Sequence, residues 1–138
     1  MKPLDALQAA LGHRFDDPAR LTEALTHASA DARRSNERLE FLGDRVLGLV
    51  VAEELIRRFP QSEEGELAVR LNALVRKETC ARVALETGIN AHIILAPGER
   101  QAGGGAKKAV LGDACEAVIA ALYLDGGLPA AKHFILSA

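Results

Sequence analysis

Apolar residues recur along this chain at intervals of three and four, the spacing of one helix face, and no run alternates β-branched and polar residues as a strand would. The pattern predicts an all-α fold. A short amphipathic helix is expected over residues 3–11. Asp16-Asp17-Pro18 reads as a second helix start, an Asp cap followed by Pro in the first turn, and the helix runs to about Thr26. Residues 28–36, Ala-Ser-Ala-Asp-Ala-Arg-Arg-Ser-Asn, make a polar loop. A long helix follows over 37–58 and stops before Pro60. Ser62-Glu63-Glu64-Gly65 offers a cap and first-turn acids for a helix reaching about Arg76. Another covers 77–87 and ends at Gly88. Residues 96–106 hold Pro97, Gly98, Gly103, Gly104 and Gly105 and read as a mobile loop. A strongly apolar helix spans 107–124, is closed by Asp125-Gly126-Gly127, and is followed by a last short helix starting at Pro129. No repeat or linker interrupts this order, so the 138 residues read as one domain.

Two of these helices carry acids where a buried helix should not. In Asn36-Glu37-Arg38-Leu39-Glu40-Phe41-Leu42-Gly43-Asp44-Arg45-Val46-Leu47, the acids Glu37, Glu40 and Asp44 lie within about 60° of one another at ~100° per residue. Most other positions from Leu39 to Val51 are Leu, Val or Phe, and a helix apolar around most of its girth is buried. In Leu111-Gly112-Asp113-Ala114-Cys115-Glu116-Ala117-Val118-Ile119, Asp113 and Glu116 again face one way amid apolar residues. Buried like charges repel and need compensation, which a divalent cation supplies. Gly43 and Gly112 immediately precede Asp44 and Asp113. Glycine inside a helix costs about 1 kcal/mol against Ala; close approach of two backbones is what it permits in return. The two helices are therefore expected to cross near Gly43 and Gly112 and to bring the acid pairs together. Four oxygen ligands with room for water suit Mg²⁺ or Mn²⁺. Either acid pair alone reads equally well as a solvated face. Two pairs, each beside a glycine in an apolar helix, favour the metal.

Composition narrows the picture further. The longest apolar runs, Val46–Ala52 and Ala117–Leu124, fall far short of the ~18 residues a membrane helix needs. Cys80 and Cys115 have no CxxC spacing and read as reduced thiols filling small core positions in a cytoplasmic protein. No secretory signal is recognisable around Lys2 and Asp5. His13, His27, His92 and His133 are scattered, and no Ser/His/Asp or Cys/His set accompanies them, so each reads as structural.

The stretch Asn36-Glu37-Arg38-Leu39-Glu40-Phe41-Leu42-Gly43-Asp44 resembles the signature of the ribonuclease III family without a break. Leu25-Thr26-His27-Ala28-Ser29, Glu64-Gly65 with Leu67 and Arg70, Gly98-Glu99 with the glycines and Lys107-Lys108, and Asp113 with Glu116 resemble the family in order and spacing, across essentially the whole chain. The resemblance implies a homodimeric endonuclease domain that cuts double-stranded RNA with Mg²⁺, or Mn²⁺ in its place, and leaves 5′-phosphate and 3′-hydroxyl ends with short 3′ overhangs. It implies that Glu40, Asp44, Asp113 and Glu116 hold the metal and form the catalytic centre. Glu37 and Glu64 would be accessory acids, and Phe41 a ball entering a socket on the partner subunit. Arg45 departs from the small polar residue of many relatives; pairing with an acid and reaching a phosphate are both open to it. Many members continue into a double-stranded-RNA-binding domain, which does not follow within this sequence; a piece of a longer protein is the expected reason.

A net charge of −2 weighs against a purely basic nucleic-acid-binding module, but a nuclease whose acids are neutralised by metal accommodates it. A-form RNA is met through backbone and 2′-hydroxyls, so cations should flank the acids. Arg33, Arg34, Arg100, Lys107 and Lys108 are the candidates; an ordinary solvated loop is the alternative. Two other readings of the chain fit less well. A catalytically inactive dimerisation or RNA-scaffold module of the same family tends to lose catalytic acids, whereas all six are present here. A di-iron carboxylate bundle needs Glu-x-x-His pairs, and Glu23 with His27 has the wrong spacing.

Overall fold

The computed structural model describes residues 3–138, which are all-helical apart from their connections. In chain order the elements are α1 (Asp5–Leu11), α2 (Pro18–Leu25), α3 (Glu37–Arg58), α4 (Glu64–Val75), α5 (Lys77–Thr87), α6 (Pro97–Gln101) and α7 (Lys108–Ser137), with 3₁₀ turns at Ile89–His92 and Gly104–Ala106. An isolated parallel bridge between Thr26 and Ile94 ties the end of α2 to the segment before α6.

The apolar run of α7 is the axis of the core. Ala114, Ala117, Val118, Ala120, Ala121 and Leu122 are fully buried, and α3, α5 and α2 pack around them. The small residues are the reason α7 can be surrounded: alanine brings neighbouring backbones close and leaves few voids. Cys80 and Cys115 are buried in this core, as their small size suggests. They line an apolar cavity of about 510 Å³ with Leu47, Val51, Phe59 and Ile119.

α7 is one element with a break inside it. Gly127 adopts φ 75° and ψ −177°, and Pro129 follows two residues later. The expected closure at Asp125-Gly126-Gly127 is therefore a kink between two limbs. The Asp125 carboxylate accepts from His13 Nε2 at 2.7 Å and from the backbone N–H groups of Asp16 and Asp17 at 3.0 and 3.1 Å. Burial opposes its charge, but these three donors outweigh burial and hold the carboxyl below its ordinary range. His13 is thus structural, clasping the α1–α2 turn to the kink.

The Asp17 cap is as expected: its side chain accepts from Ala19 N–H at 3.2 Å, and Pro18 opens α2. Three expectations need correcting. Glu63, not Ser62, caps α4, because Glu63 and Glu66 cap each other's backbone reciprocally. Residues 96–106 are not an unstructured loop: they form α6 and a 3₁₀ turn, pinned by Arg100 Nη2 donating to the Ile93 carbonyl at 2.6 Å and by a Lys107–Glu99 ion pair at 3.0 Å. Finally, α3 is not buried all round. Phe41 (63 %), Leu49 (58 %) and Ile56 (61 %) lie exposed along one side, and α4 beside it has no buried residue. Among the described residues no helix is long and apolar enough to cross a membrane.

Candidate metal centre

Gly43 is where α3 meets α7. A Cβ built there would lie 1.7 Å from the backbone oxygen of Glu116, so only glycine lets the helices touch at this depth. Glu40 lies one turn before the contact and Glu116 lies in it. The crossing therefore delivers carboxylates from both helices to one spot. One oxygen from each of Glu40, Asp113 and Glu116 falls within 4.8 Å of the others. Gly112 has a different task from the one expected. It faces the start of α5, where a Cβ would come 3.1 Å from both the Lys77 backbone oxygen and Lys77 Cδ.

Lys77, which no sequence motif marked, is central. Its Nζ donates to Glu40 at 3.1 Å, to Asp113 at 2.6 Å and to Glu116. Burial opposes its charge, but the three carboxylates outweigh burial and hold the ammonium well above the ordinary lysine range. The acids feel the opposite pressure. The Glu116 side chain is 2 % exposed. Burial pushes its carboxyl up to about 7; Lys77 opposes the rise and the neighbouring Asp44 adds to it. Glu40 is raised for similar reasons, burial first, Lys77 opposing and Asp113 adding. One ammonium shared among several carboxylates leaves the most buried one under-compensated. A hard divalent cation suits such an oxygen donor set, so the residues present fit Mg²⁺ or Mn²⁺.

Asp44 stands at the rim rather than in the triangle. Its side chain is half-exposed, accepts from Arg45 Nη1 at 3.2 Å, and lies close enough to Glu116 to raise it. Arg45 thus pairs with an acid, and it also stacks over Phe41, 4.1 Å from the ring centroid. Glu37 and Glu64 are exposed and lie outside the triangle; Glu37 accepts from the Ser35 hydroxyl at 3.2 Å. Arg33 and Arg34 are exposed on a turn whose two N–H groups Asp31 caps, and Lys108 is exposed at the start of α7. Arg100 and Lys107 are engaged with Ile93 and Glu99. His27, paired with Ser29 Oγ at 2.8 Å, shapes the 28–36 loop.

The crossed helices and their acids lie within residues 17–138, which match the ribonuclease-III-like family. The chain belongs to the ribonuclease-III-like family. Its relatives include ribonuclease 3 of Dinoroseobacter shibae, 56 % identical over 98 % of this chain and 60 % of that protein. Ribonuclease 3 of Cereibacter sphaeroides is 54 % identical over 96 % of this chain and 59 % of that protein. The chain thus spans about 60 % of the length of these curated relatives. Among solved structures, the nuclease domain of ribonuclease III from Campylobacter jejuni superposes with a TM-score of 0.95 at 39 % identity, covering 97 % of this chain and 94 % of that one. That structure is described by a region involved in dimer formation. A second structure of the same nuclease domain gives 0.94 over 99 % of this chain and 93 % of that one. The all-helical ribonuclease III nuclease-domain fold expected from the signature around Glu40 is the fold observed.

Proposed function

We propose that this chain is the catalytic part of a ribonuclease III, a Mg²⁺-dependent endonuclease that hydrolyses phosphodiester bonds in double-stranded RNA. The observation that carries this reading is the convergence of Glu40, Asp113 and Glu116 oxygens within 4.8 Å on a ribonuclease-III-like chain. Glu40, Asp113 and Glu116 would hold the ion, with Asp44 completing the set from the rim. A bound ion activates a water and stabilises charge on the phosphate and the leaving oxygen.

The protein's own part is placement. Glu116, rooted in the core of α7, is a rigid ligand. Glu40 rides the helix that Gly43 locks against it. Glu37 and Glu64, both exposed, are accessory acids toward the RNA. Arg33, Arg34 and Lys108 are exposed cations suited to the strand backbones, whereas Arg100 and Lys107 must first leave Ile93 and Glu99. Few such contacts give weak binding that falls steeply with salt.

Incubating the protein in excess with long duplex RNA and Mg²⁺ at low salt should yield short duplexes with 5′-phosphate and 3′-hydroxyl ends and short 3′ overhangs. Chelation should stop the reaction. Binding without cleavage would instead establish the inactive scaffold.

The working unit we propose is a cytoplasmic homodimer with one site per subunit. The exposed row Phe41, Leu49 and Ile56 supports it, since monomers rarely expose large apolar side chains together. Phe41→Ala should weaken self-association roughly tenfold, as expected when an aromatic anchor is truncated. Sedimentation equilibrium reads this as a larger monomer fraction; unchanged association would refute the ball-and-socket role.

A further inference from the structure

We propose that Lys77 is a built-in counter-ion that occupies the metal position, and that the divalent ion binds by displacing it. The inference rests on the metal reading above. Nζ of Lys77 reaches Glu40, Asp113 and Glu116, the same three carboxylates whose oxygens lie within 4.8 Å of one another. A Mg²⁺ ion bound by those oxygens at about 2.0–2.1 Å would sit inside their triangle. An ammonium donating to all three lies there too. The two cations exclude each other.

The position of Lys77 is built into the fold. Arg76 is extended (φ −69°, ψ 157°) and caps α5, so the first residue of that helix starts directly over α7. Gly112 leaves the room: its missing side chain admits both the Lys77 backbone oxygen and the middle of its aliphatic stem. A larger residue at 112 would push the stem off the acids. The same geometry allows departure. The Lys77 side chain is 42 % exposed, and its four-carbon stem rotates without moving α5. Its ammonium is a compact point charge, so it can release three carboxylates together, where an arginine fork would bind one of them bidentately.

Two consequences follow. Before metal arrives, Lys77 neutralises part of a buried acid cluster and holds α5 to the α3–α7 crossing. When metal arrives, part of its binding free energy is spent on breaking charge-assisted hydrogen bonds, so affinity is set lower than the carboxylates alone would give.

Lys77→Met keeps the stem and removes the ammonium. Without RNA, Mn²⁺ titration by calorimetry and by the electron paramagnetic resonance of free Mn²⁺ should show roughly tenfold tighter binding than wild type. Arg82→Gln removes the same charge from the same helix without touching the acids; it should shift affinity less than about threefold, the size of a screened surface effect. In chelator, Lys77→Met should melt below wild type, and saturating Mn²⁺ should raise its melting temperature by more. Should Lys77→Met not fold in chelator, Lys77→Gln, which keeps a donor for the carboxylates, serves the same titration. Measurable and equal Mn²⁺ affinity in wild type and both Lys77 variants, or weaker affinity in the variants, overturns the displacement. No Mn²⁺ binding by any of them overturns the metal reading and this inference with it. Binding by the Lys77 variants alone supports the displacement in its strongest form.

Discussion

Glu116→Gln is expected to lower kcat/KM for duplex RNA by about three orders of magnitude, about 4 kcal/mol of lost transition-state stabilisation. RNA affinity measured in chelator should stay within a few-fold of wild type. The magnitude follows from position. Glu116 is the most buried of the acids, rooted in the small-residue core of α7, and it lies in the contact with α3. Amide for carboxylate keeps its shape while removing the charge a metal needs. The fold should tolerate the change, because the amide keeps the carboxylate's shape and its oxygen can still accept from Lys77 Nζ. Glu37→Gln and Glu64→Gln, at exposed positions outside the triangle, should cost less than about tenfold. Single-turnover cleavage with each variant, beside its melting curve, separates chemistry from stability. Cleavage by Glu116→Gln at the wild-type rate would remove the site assignment.

Gly43→Ala is expected to be the most damaging single-methyl change in the chain. The new Cβ would lie 1.7 Å from the Glu116 backbone oxygen and 2.6 Å from its carbonyl carbon. Neither atom can rotate away, so α3 and α7 must separate. Overpacking of this kind destabilises by about 3 kcal/mol or more, which lowers the melting temperature by roughly 10 °C in a domain of this size. The separation also pulls Glu40 from Asp113 and Glu116, so activity should fall further than stability alone explains. Gly48→Ala is the matched control on the same helix. Nothing lies within 4 Å of its Cβ, and replacing a helical glycine there should be neutral or stabilising by up to about 1 kcal/mol. Denaturant titrations of the two variants at low protein concentration test the contrast; equal midpoints would show that the crossing is not locked at Gly43.

Much of this molecule was legible before folding. Helix periods, the Asp17-Pro18 start and the Gly88 end depend on neighbours within one or two turns, and such local preferences survive in the fold. The acids were legible because two chemically costly patterns coincided: carboxylates in apolar helices, each beside a glycine. Gly43 met the expectation that α3 and α7 approach there. Gly112 also marks a close backbone approach, but to Lys77 of α5 rather than to α3, because a glycine announces a close approach without naming the partner. Lys77 carried no motif, and only the pairing of α5 with α7 brings its ammonium to the acids. A glycine in need of a neighbour and a lone lysine opening a helix were the available signals, and neither points to the other along the chain.

The amino-acid order by itself determined the main helices and the all-α class, and it pointed to Glu40, Asp44, Asp113 and Glu116 as one set of acids, three of which packing brings within 4.8 Å of one another. Tertiary structure alone decided that Asp44 stands at the rim with Arg45, that residues 96–106 are pinned rather than loose, that one side of α3 is left bare, and that a lysine sits among the acids. The division has one physical reason. Periodicity, capping and charge patterning are short-range properties of the chain, whereas burial, ion pairing and exclusion of one cation by another depend on atoms that only packing brings together.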